Sequence, residues 1–389
     1  MSGELLIQNC RLSDDATAGF LNILIKNKQI ASIAEQAPLI AVNNVIDAGG
    51  RYIVPGFIDV HIQGAGGADV LDATEKAIKT ISITLAQFGV TGFLATTVIK
   101  PDTGNRHLNT LTNLWHQDLG GAKLLGIHLE GPFINPAKRG GIAKNAILPP
   151  SQGVLGEILK ITGNALKMMT LAPELPGNLD IIRYLKKYHI VASFGHSNAD
   201  YTETLAGFDA GISHITHIFN AMPSLHHRTP GPIAAIFESE TVTAQIISDG
   251  IHLHPAIVNL IYRNLGSERC ICITDGIQAI GLPDGHYVYN GRVYESRGGS
   301  ARYDDGTLIG TALDVHEISR RFQRFTACTK NIALQTITCN PARVLNISEK
   351  TGAVKPGYDA DLVLLDFDDS VYMTIVDGKI VYQKKNNPA

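Results

Sequence analysis

The sequence predicts an α/β chain, a (β/α)8 TIM barrel that carries a small β-sandwich built from its N- and C-terminal segments. Three observations predict this. Short apolar runs alternate with helical stretches through the middle of the chain. Both ends are rich in β-branched residues and show no helical period. Six of the apolar runs end in His, Asp or Glu, where a plain core would place none.

The alternating units set the barrel. Strands are expected at Val54–Gln63, Gly92–Val98, Leu124–Glu130, Lys167–Pro173, Ile190–His196, His214–Asn220, Gln245–Asp249 and Cys270–Asp275. Helices are expected between them, among others at Glu75–Phe88, Leu179–Tyr188 and Pro255–Asn264. Eight parallel-type strands with crossovers favour a closed barrel over an open sheet. No Gly-x-Gly-x-x-Gly follows the first strand, which argues against a dinucleotide-binding sheet. Residues 281–310 are expected to leave the barrel as a β-hairpin excursion.

The ends read differently. ELLIQNCRL, NILIKNKQIASIA and NNVIDAGGRYIV are short strands punctuated by Asn, Gly and Asp. GAVKPGYDADLVLLD and SVYMTIVDGKIVYQ have the same character, with Asp377 and Gly378 as a hairpin signal. Neither end can bury a sheet face alone, so the two are expected to pair. This gives residues 1–54 and 350–389 as the sandwich and 55–349 as the barrel.

Composition bounds the function. The 389 residues are enough for a barrel of roughly 250 residues and a smaller unit. The net charge of −3 provides no global field for nucleic acid or an anionic membrane, so neither is expected as a partner. No apolar run reaches a membrane span, and no signal peptide is evident at the N-terminus. Five scattered cysteines do not form a disulfide framework. Cys270 and Cys272 read as buried strand thiols rather than a metal pair. A cytoplasmic location is expected.

The strand ends carry the chemistry. In this barrel class the C-terminal strand ends converge on one space. IDVHIQG, IHLEG, SFGHS, ITHIFN, SDGIH and ITDG should therefore aim His61, Glu130, His196, His217, His252 and Asp275 at one site. Imidazole and carboxylate suit a borderline divalent ion, zinc first, with iron(II) or manganese as alternatives. Such an ion activates water and polarises a carbonyl, and an adjacent carboxylate such as Asp275 can carry the proton. Any one of these histidines, taken alone, is better read as a hydrogen-bonded core residue. Arg228, in the loop after strand six beside His226 and His227, is suited to grip a phosphate bidentately. The competing reading is an ion pair at the surface or between subunits.

PGFIDVHIQGAGGADVLDAT, HLEGPFINPAKRGG, LAPE, FGHSNA, THIFNAM, SDGIHLHP, ITDGIQA and KPGYDADLVLLD together resemble the N-acetylglucosamine-6-phosphate deacetylases of the amidohydrolase superfamily, in order and nearly end to end. The resemblance implies a hydrolase of a linear amide bond. It would act on the acetamido group of an N-acetylhexosamine 6-phosphate, N-acetylglucosamine 6-phosphate first, giving the amino sugar phosphate and acetate. It implies Glu130, His196 and His217 as metal ligands and Asp275 as general acid/base. Asn220, Ala221, Arg228, Asp249, His252, Leu308, Ile309 and Gly310 would bind substrate, with His227 a further phosphate contact. A homodimer is implied, with phosphate contacts available from the neighbouring subunit.

Two departures from the family pattern bear on this. Many relatives carry His-x-His at the end of strand one, whereas this chain has His61 and Gln63. An amide oxygen is a poor ligand beside imidazole. One metal per subunit is therefore expected, with His61 as either a second-site ligand or a substrate contact. The family's polar residue after HLEGPF is Ile142 here, which cannot donate a hydrogen bond. His128 or Asn145 would have to replace it, or the substrate would differ. N-acetylgalactosamine 6-phosphate, or another acylated amino sugar, is the alternative substrate. A cyclic amidase is less well matched, because those enzymes pair His-x-His with a carboxylated lysine. An inactive scaffold is less well matched still, given the complete set of Glu130, His196, His217 and Asp275.

Overall fold

A computed structural model describes residues 4–12, 19–38, 42–289 and 291–385. The portions of the expected terminal strands and of the excursion at 1–3, 13–18, 39–41, 290 and 386–389 lie outside the described residues. Eight parallel strands run Phe57–Ile62, Val90–Thr97, Lys123–Glu130, Leu166–Leu171, Val191–Phe194, His214–Ile215, Thr243–Ile246 and Cys270–Cys272, each beside the next in sequence. The first and last meet through a parallel bridge between Ile62 and Gly276. The Gln63 amide donates to the Gly276 carbonyl at 2.8 Å. Buried Asp59 ties the same seam: Thr274 Oγ1 donates to its Oδ2 at 2.5 Å and the His61 amide to its Oδ1 at 3.1 Å. The sheet is thus all but closed into the expected barrel.

Helices cover its outside. The helix Glu75–Gln87 starts where Thr74 accepts from the Ala77 amide, and Asn178–Lys187 buries Ile181, Ile182 and Leu185. Pro255–Arg269 runs longer than expected, with Gly266 non-helical within it.

The chain ends pair as expected. One sheet orders Gln29–Ala34, Leu21–Lys26, Leu5–Cys10 and Asn44–Asp47. A second orders Lys379–Gln383, Val371–Val376, Leu362–Leu365 and Tyr52–Pro55. They share a core that includes Ile7, Ile23 and Ile25 from one side and Ile53, Leu364 and Ile375 from the other. Asp377 and Gly378 make the tight hairpin turn, both with positive φ, as a two-residue turn of this type requires.

Three expectations are corrected. The expected strand Val54–Gln63 is two strands that part at Gly56, where the backbone passes so close to Thr91 that a Cβ would lie 2.1 Å from its Oγ1. Residues 281–310 form not one hairpin but a four-stranded antiparallel meander, Gly285–Tyr289, Arg292–Arg297, Ser300–Tyr303 and Leu308–Thr311. Strands five, six, seven and eight stop short of their polar ends, and beyond three of them His196, His217 and Asp275 take left-handed backbone conformations with φ of 49°, 28° and 45°. Non-glycine residues rarely adopt this region, and it breaks the ladder.

Candidate metal and substrate site

The strand-end residues do converge. His196 Nε2 lies 3.0 Å and His217 Nε2 3.1 Å from Glu130 Oε1, and the two Nε2 atoms are 3.1 Å apart. All three residues are buried, with one ligand atom from each within 4.8 Å of the others. His196 Nδ1 donates to the Lys138 carbonyl at 2.8 Å, which leaves the Nε2 lone pair facing the cluster. With both Nε2 atoms unprotonated, a carboxylate oxygen and two imidazole nitrogens this close repel one another, and a cation among them relieves that repulsion. Ligand atoms about 2.0–2.2 Å from one ion stand about 3–3.5 Å apart, so the donor set fits a divalent metal.

Glu174 secures this cluster from behind. Its carboxylate accepts from Ser197 Oγ at 2.7 Å, from the Asn198 amide at 2.6 Å and from Asn135 Nδ2 at 3.0 Å. The Asn135 amide in turn donates to the His196 carbonyl at 2.9 Å. The loop that bears His196 is thereby fastened to the segment that follows Glu130.

Asp275 lies beside the cluster and is linked into a polar chain. Gln63 Nε2 donates to Asp275 Oδ1 at 3.1 Å, and the Tyr289 hydroxyl donates to Gln63 Oε1. His61 Nε2 is 3.1 Å from the same Asp275 oxygen and 3.7 Å from Glu130 Oε1. Gln245 Oε1 accepts from His61 Nδ1 at 2.9 Å and from the His217 amide at 3.3 Å. Burial opposes charge on all these groups. For Asp275 the neighbouring His61 outweighs it and holds the carboxyl below its ordinary range. Burial also opposes a charge on His61, but the Asp275 and Glu130 carboxylates raise its pKa well above the usual value.

A cavity opens over these groups. Its wall includes Glu130, His196, His217 and Asp275 together with Asn220, Ala221, His252, Leu308, Ile309 and Gly310. Of the expected site residues it thus gathers ten in one place. His61 is not in the wall but fully buried next to it. Asp249 also lies outside it. Its Oδ2 is 2.6 Å from His252 Nδ1 and its Oδ1 accepts from the Ile251 and His252 amides, so it orients His252 instead of facing the cavity. Arg228 and His227 are exposed and pair with each other, Nη1 to Nε2 at 2.7 Å, outside this chain's cavity.

Ile142 does line the cavity. Neither suggested replacement reaches it. His128 is fully buried, engaged by Thr96 Oγ1 at 3.2 Å and Thr170 Oγ1 at 2.8 Å. Asn145 is exposed and outside the wall. The wall also holds residues that the sequence did not single out, notably Asp69, Thr96, Thr97 and Tyr289. Tyr289 comes from the meander, which carries four tyrosines, none of which stands out in the sequence.

Residues 52–381 match the model of the amidohydrolase family. The chain is 36% identical over 366 residues to N-acetylglucosamine-6-phosphate deacetylase of Bacillus subtilis (strain 168), covering 93% of this chain and 92% of the relative. It is 32% identical to N-acetylgalactosamine-6-phosphate deacetylase of Escherichia coli O157:H7, over 87% of this chain and 89% of that one. The crystal structure of N-acetylglucosamine-6-phosphate deacetylase from Thermotoga maritima superposes with a TM-score of 0.84 at 31% identity, covering 97% of this chain and all of that one. Sequence, fold and the buried Glu–His–His cluster agree: the chain belongs to the amidohydrolase family and, within it, to the N-acetylglucosamine-6-phosphate deacetylases.

Proposed function

We propose that this protein hydrolyses the acetamido C–N bond of N-acetylglucosamine 6-phosphate, giving glucosamine 6-phosphate and acetate, with one divalent metal per subunit, zinc, held by Glu130, His196 and His217. The observation that carries the reading is the convergence of those three ligand atoms beside Asp275 at the floor of one cavity. Bound there, the ion supplies Lewis acidity for the amide carbonyl and for the attacking water. Asp275 is the proton carrier. Its Oδ1 is taken by Gln63 and His61, and Oδ2 has no hydrogen-bond partner among the described residues. Oδ2 is thus the atom to take the water proton and pass it to the leaving nitrogen. Its ionised resting form, favoured by His61, suits the first of these steps.

The single-metal stoichiometry is supported by Gln63, whose amide nitrogen faces Asp275 and whose oxygen is occupied by Tyr289. The exposed Arg228 and His227 support a homodimer in which this loop completes the phosphate site of the partner's cavity. Unpaired cysteines, three of them buried, support a reducing cytoplasm. No helix among the described residues is long and apolar enough to cross a membrane.

The test is acetate release by the zinc-loaded protein from N-acetylglucosamine 6-phosphate and N-acetylgalactosamine 6-phosphate, with zinc content measured alongside. The expected result is one zinc per chain and the higher kcat/KM on the gluco epimer. A preference for the galacto epimer would transfer the assignment to that substrate, consistent with Ile142 in the wall. Release from neither would refute the reading.

A further inference from the structure

Asp69 ends a short hairpin, Gly64–Ala65 with Ala68–Asp69, that follows the first barrel strand. One of its carboxylate oxygens serves the local fold. Oδ1 accepts from the Leu71 amide at 2.7 Å and caps the turn Val70–Asp72. The Asp69 amide donates to Asp72 Oδ2 at 2.9 Å, so the turn is held from both sides. The other oxygen, Oδ2, is buried and has no hydrogen-bond partner. The residue is 5% exposed and lines the same cavity as Glu130, His196 and Asp275.

A buried carboxylate oxygen left unpaired is costly, and a cap needs only one oxygen. Ser or Thr would cap this turn as well without burying a second acceptor. The wall combines the apolar Leu71, Val98, Ile142, Leu308 and Ile309 with the polar Thr97, Asn220 and His252, and among them Asp69 brings a buried carboxylate oxygen that has no partner. The Tyr289 hydroxyl is already committed to Gln63. A hexosamine presents several hydroxyls, and any that faces this wall needs an acceptor. Burial raises the Asp69 pKa to about 7, opposed by the Leu71 amide, so the group can accept in either protonation state near neutral pH.

We infer that Asp69 is a specificity-determining residue whose Oδ2 accepts a hydrogen bond from a ring hydroxyl of the amino sugar substrate. The inference rests on the deacetylase reading above.

The experiment is steady-state kinetics of the metal-loaded protein on N-acetylglucosamine 6-phosphate and its 1-deoxy, 3-deoxy and 4-deoxy analogues, with wild type, Asp69→Ser and Asp69→Asn. Asp69→Ser keeps a capping oxygen and removes the second oxygen together with the carboxyl carbon and the charge; Asp69→Asn keeps the shape and replaces that acceptor by a donor. In the wild type one deoxy analogue should lose about 10- to 100-fold in kcat/KM. In Asp69→Ser the parent substrate should fall by a similar factor while that analogue does not, so the discrimination collapses towards one. Asp69→Asn should retain more of it, since a hydroxyl can turn to accept from the amide. A purely structural or water-binding Asp69 would slow all four substrates equally, and that result overturns the inference. A flat deoxy series in the wild type overturns it even if neither variant folds. No turnover by the wild type removes the deacetylase reading and this inference with it, whereas normal turnover with uniform variant effects removes this inference alone.

Discussion

Glu174→Ala tests how the metal cluster is held. The carboxylate accepts three hydrogen bonds, from Ser197 Oγ, the Asn198 amide and Asn135 Nδ2. A hydrogen bond to a charged group contributes about 1.5–3 kcal/mol net, but three on one group are not additive, and Glu174 is only half-buried, so water recovers part. A loss of about 3 kcal/mol in the ordering of the His196 loop is expected. Only a fraction passes to the ion, because the Lys138 carbonyl still accepts from His196 Nδ1. Removing such supporting groups typically weakens metal binding about 10- to 100-fold. Glu174→Gln keeps Oε1 for Asn135 and Asn198 and offers an amide N–H to the Ser197 hydroxyl, so it should stay within about threefold of wild type. The assay is competition for zinc against a chelator of known affinity, followed by kcat/KM at saturating metal. Glu174→Ala holding zinc within about twofold of wild type would refute the reasoning. So would Glu174→Gln failing as badly as Ala, since the hydrogen-bond pattern would then not be what matters.

Three further outcomes are expected. Asp275→Asn should lower kcat by about 10²–10⁴-fold while zinc content stays near one per chain, because Asp275 is outside the ligand triad; activity near wild type would remove it as proton carrier. Arg228→Ala should raise KM for the phosphorylated sugar and narrow its advantage over the unphosphorylated one by about 10-fold. An unchanged advantage would take the loop out of the phosphate site. His107 is buried, its Nε2 donates to the Val98 carbonyl at 2.9 Å, and burial lowers its pKa from 6.5 to about 4. Unfolding therefore takes up a proton between those two values. The stability this provides is present above pH 6.5 and is lost as pH falls, by about 2 kcal/mol at pH 5. His107→Gln keeps an N–H donor that does not titrate, so urea unfolding at pH 7 and pH 5 should show a shallower acid loss than wild type. Identical losses would contradict the assignment.

The barrel was legible because parallel strands buried on both faces read as apolar runs and their crossover helices carry a different period. The terminal pairing was legible because neither end could bury a face alone. What the pattern does not reveal is where strands five to eight stop. Apolar residues continue through Ile218 and Ile273, and nothing in FGHS or ITHIF marks His196 or His217 as left-handed. That conformation costs about 1–2 kcal/mol per residue outside glycine, so it persists only where the surroundings impose it. The four-stranded meander is hidden in the sequence for a related reason. Its strands are short and partly exposed, and their alternation is interrupted by several glycines.

The metal cluster was more legible than the substrate wall, and the reason is geometric. Glu130, His196, His217 and Asp275 follow strands whose direction the barrel fixes, so identity and position together implied convergence. Asp69 and Tyr289 come from a hairpin and a meander whose placement no local pattern specifies. Gln63 shows the difference most clearly. In the sequence it reads as a lost histidine, a deficit in a two-metal pattern. In the structure it has its own partners on both sides. Asp275 must be ionised to accept a proton, and an ionised carboxylate can only accept hydrogen bonds, so the Gln63 amide nitrogen has to face it. That turns Oε1 outward, where the Tyr289 hydroxyl donates to it. A histidine at this position would offer Asp275 a single ring nitrogen and would compete for it with any second ion. Glutamine instead orients Asp275, and under the function proposed above the single-metal arrangement follows from how Asp275 is held.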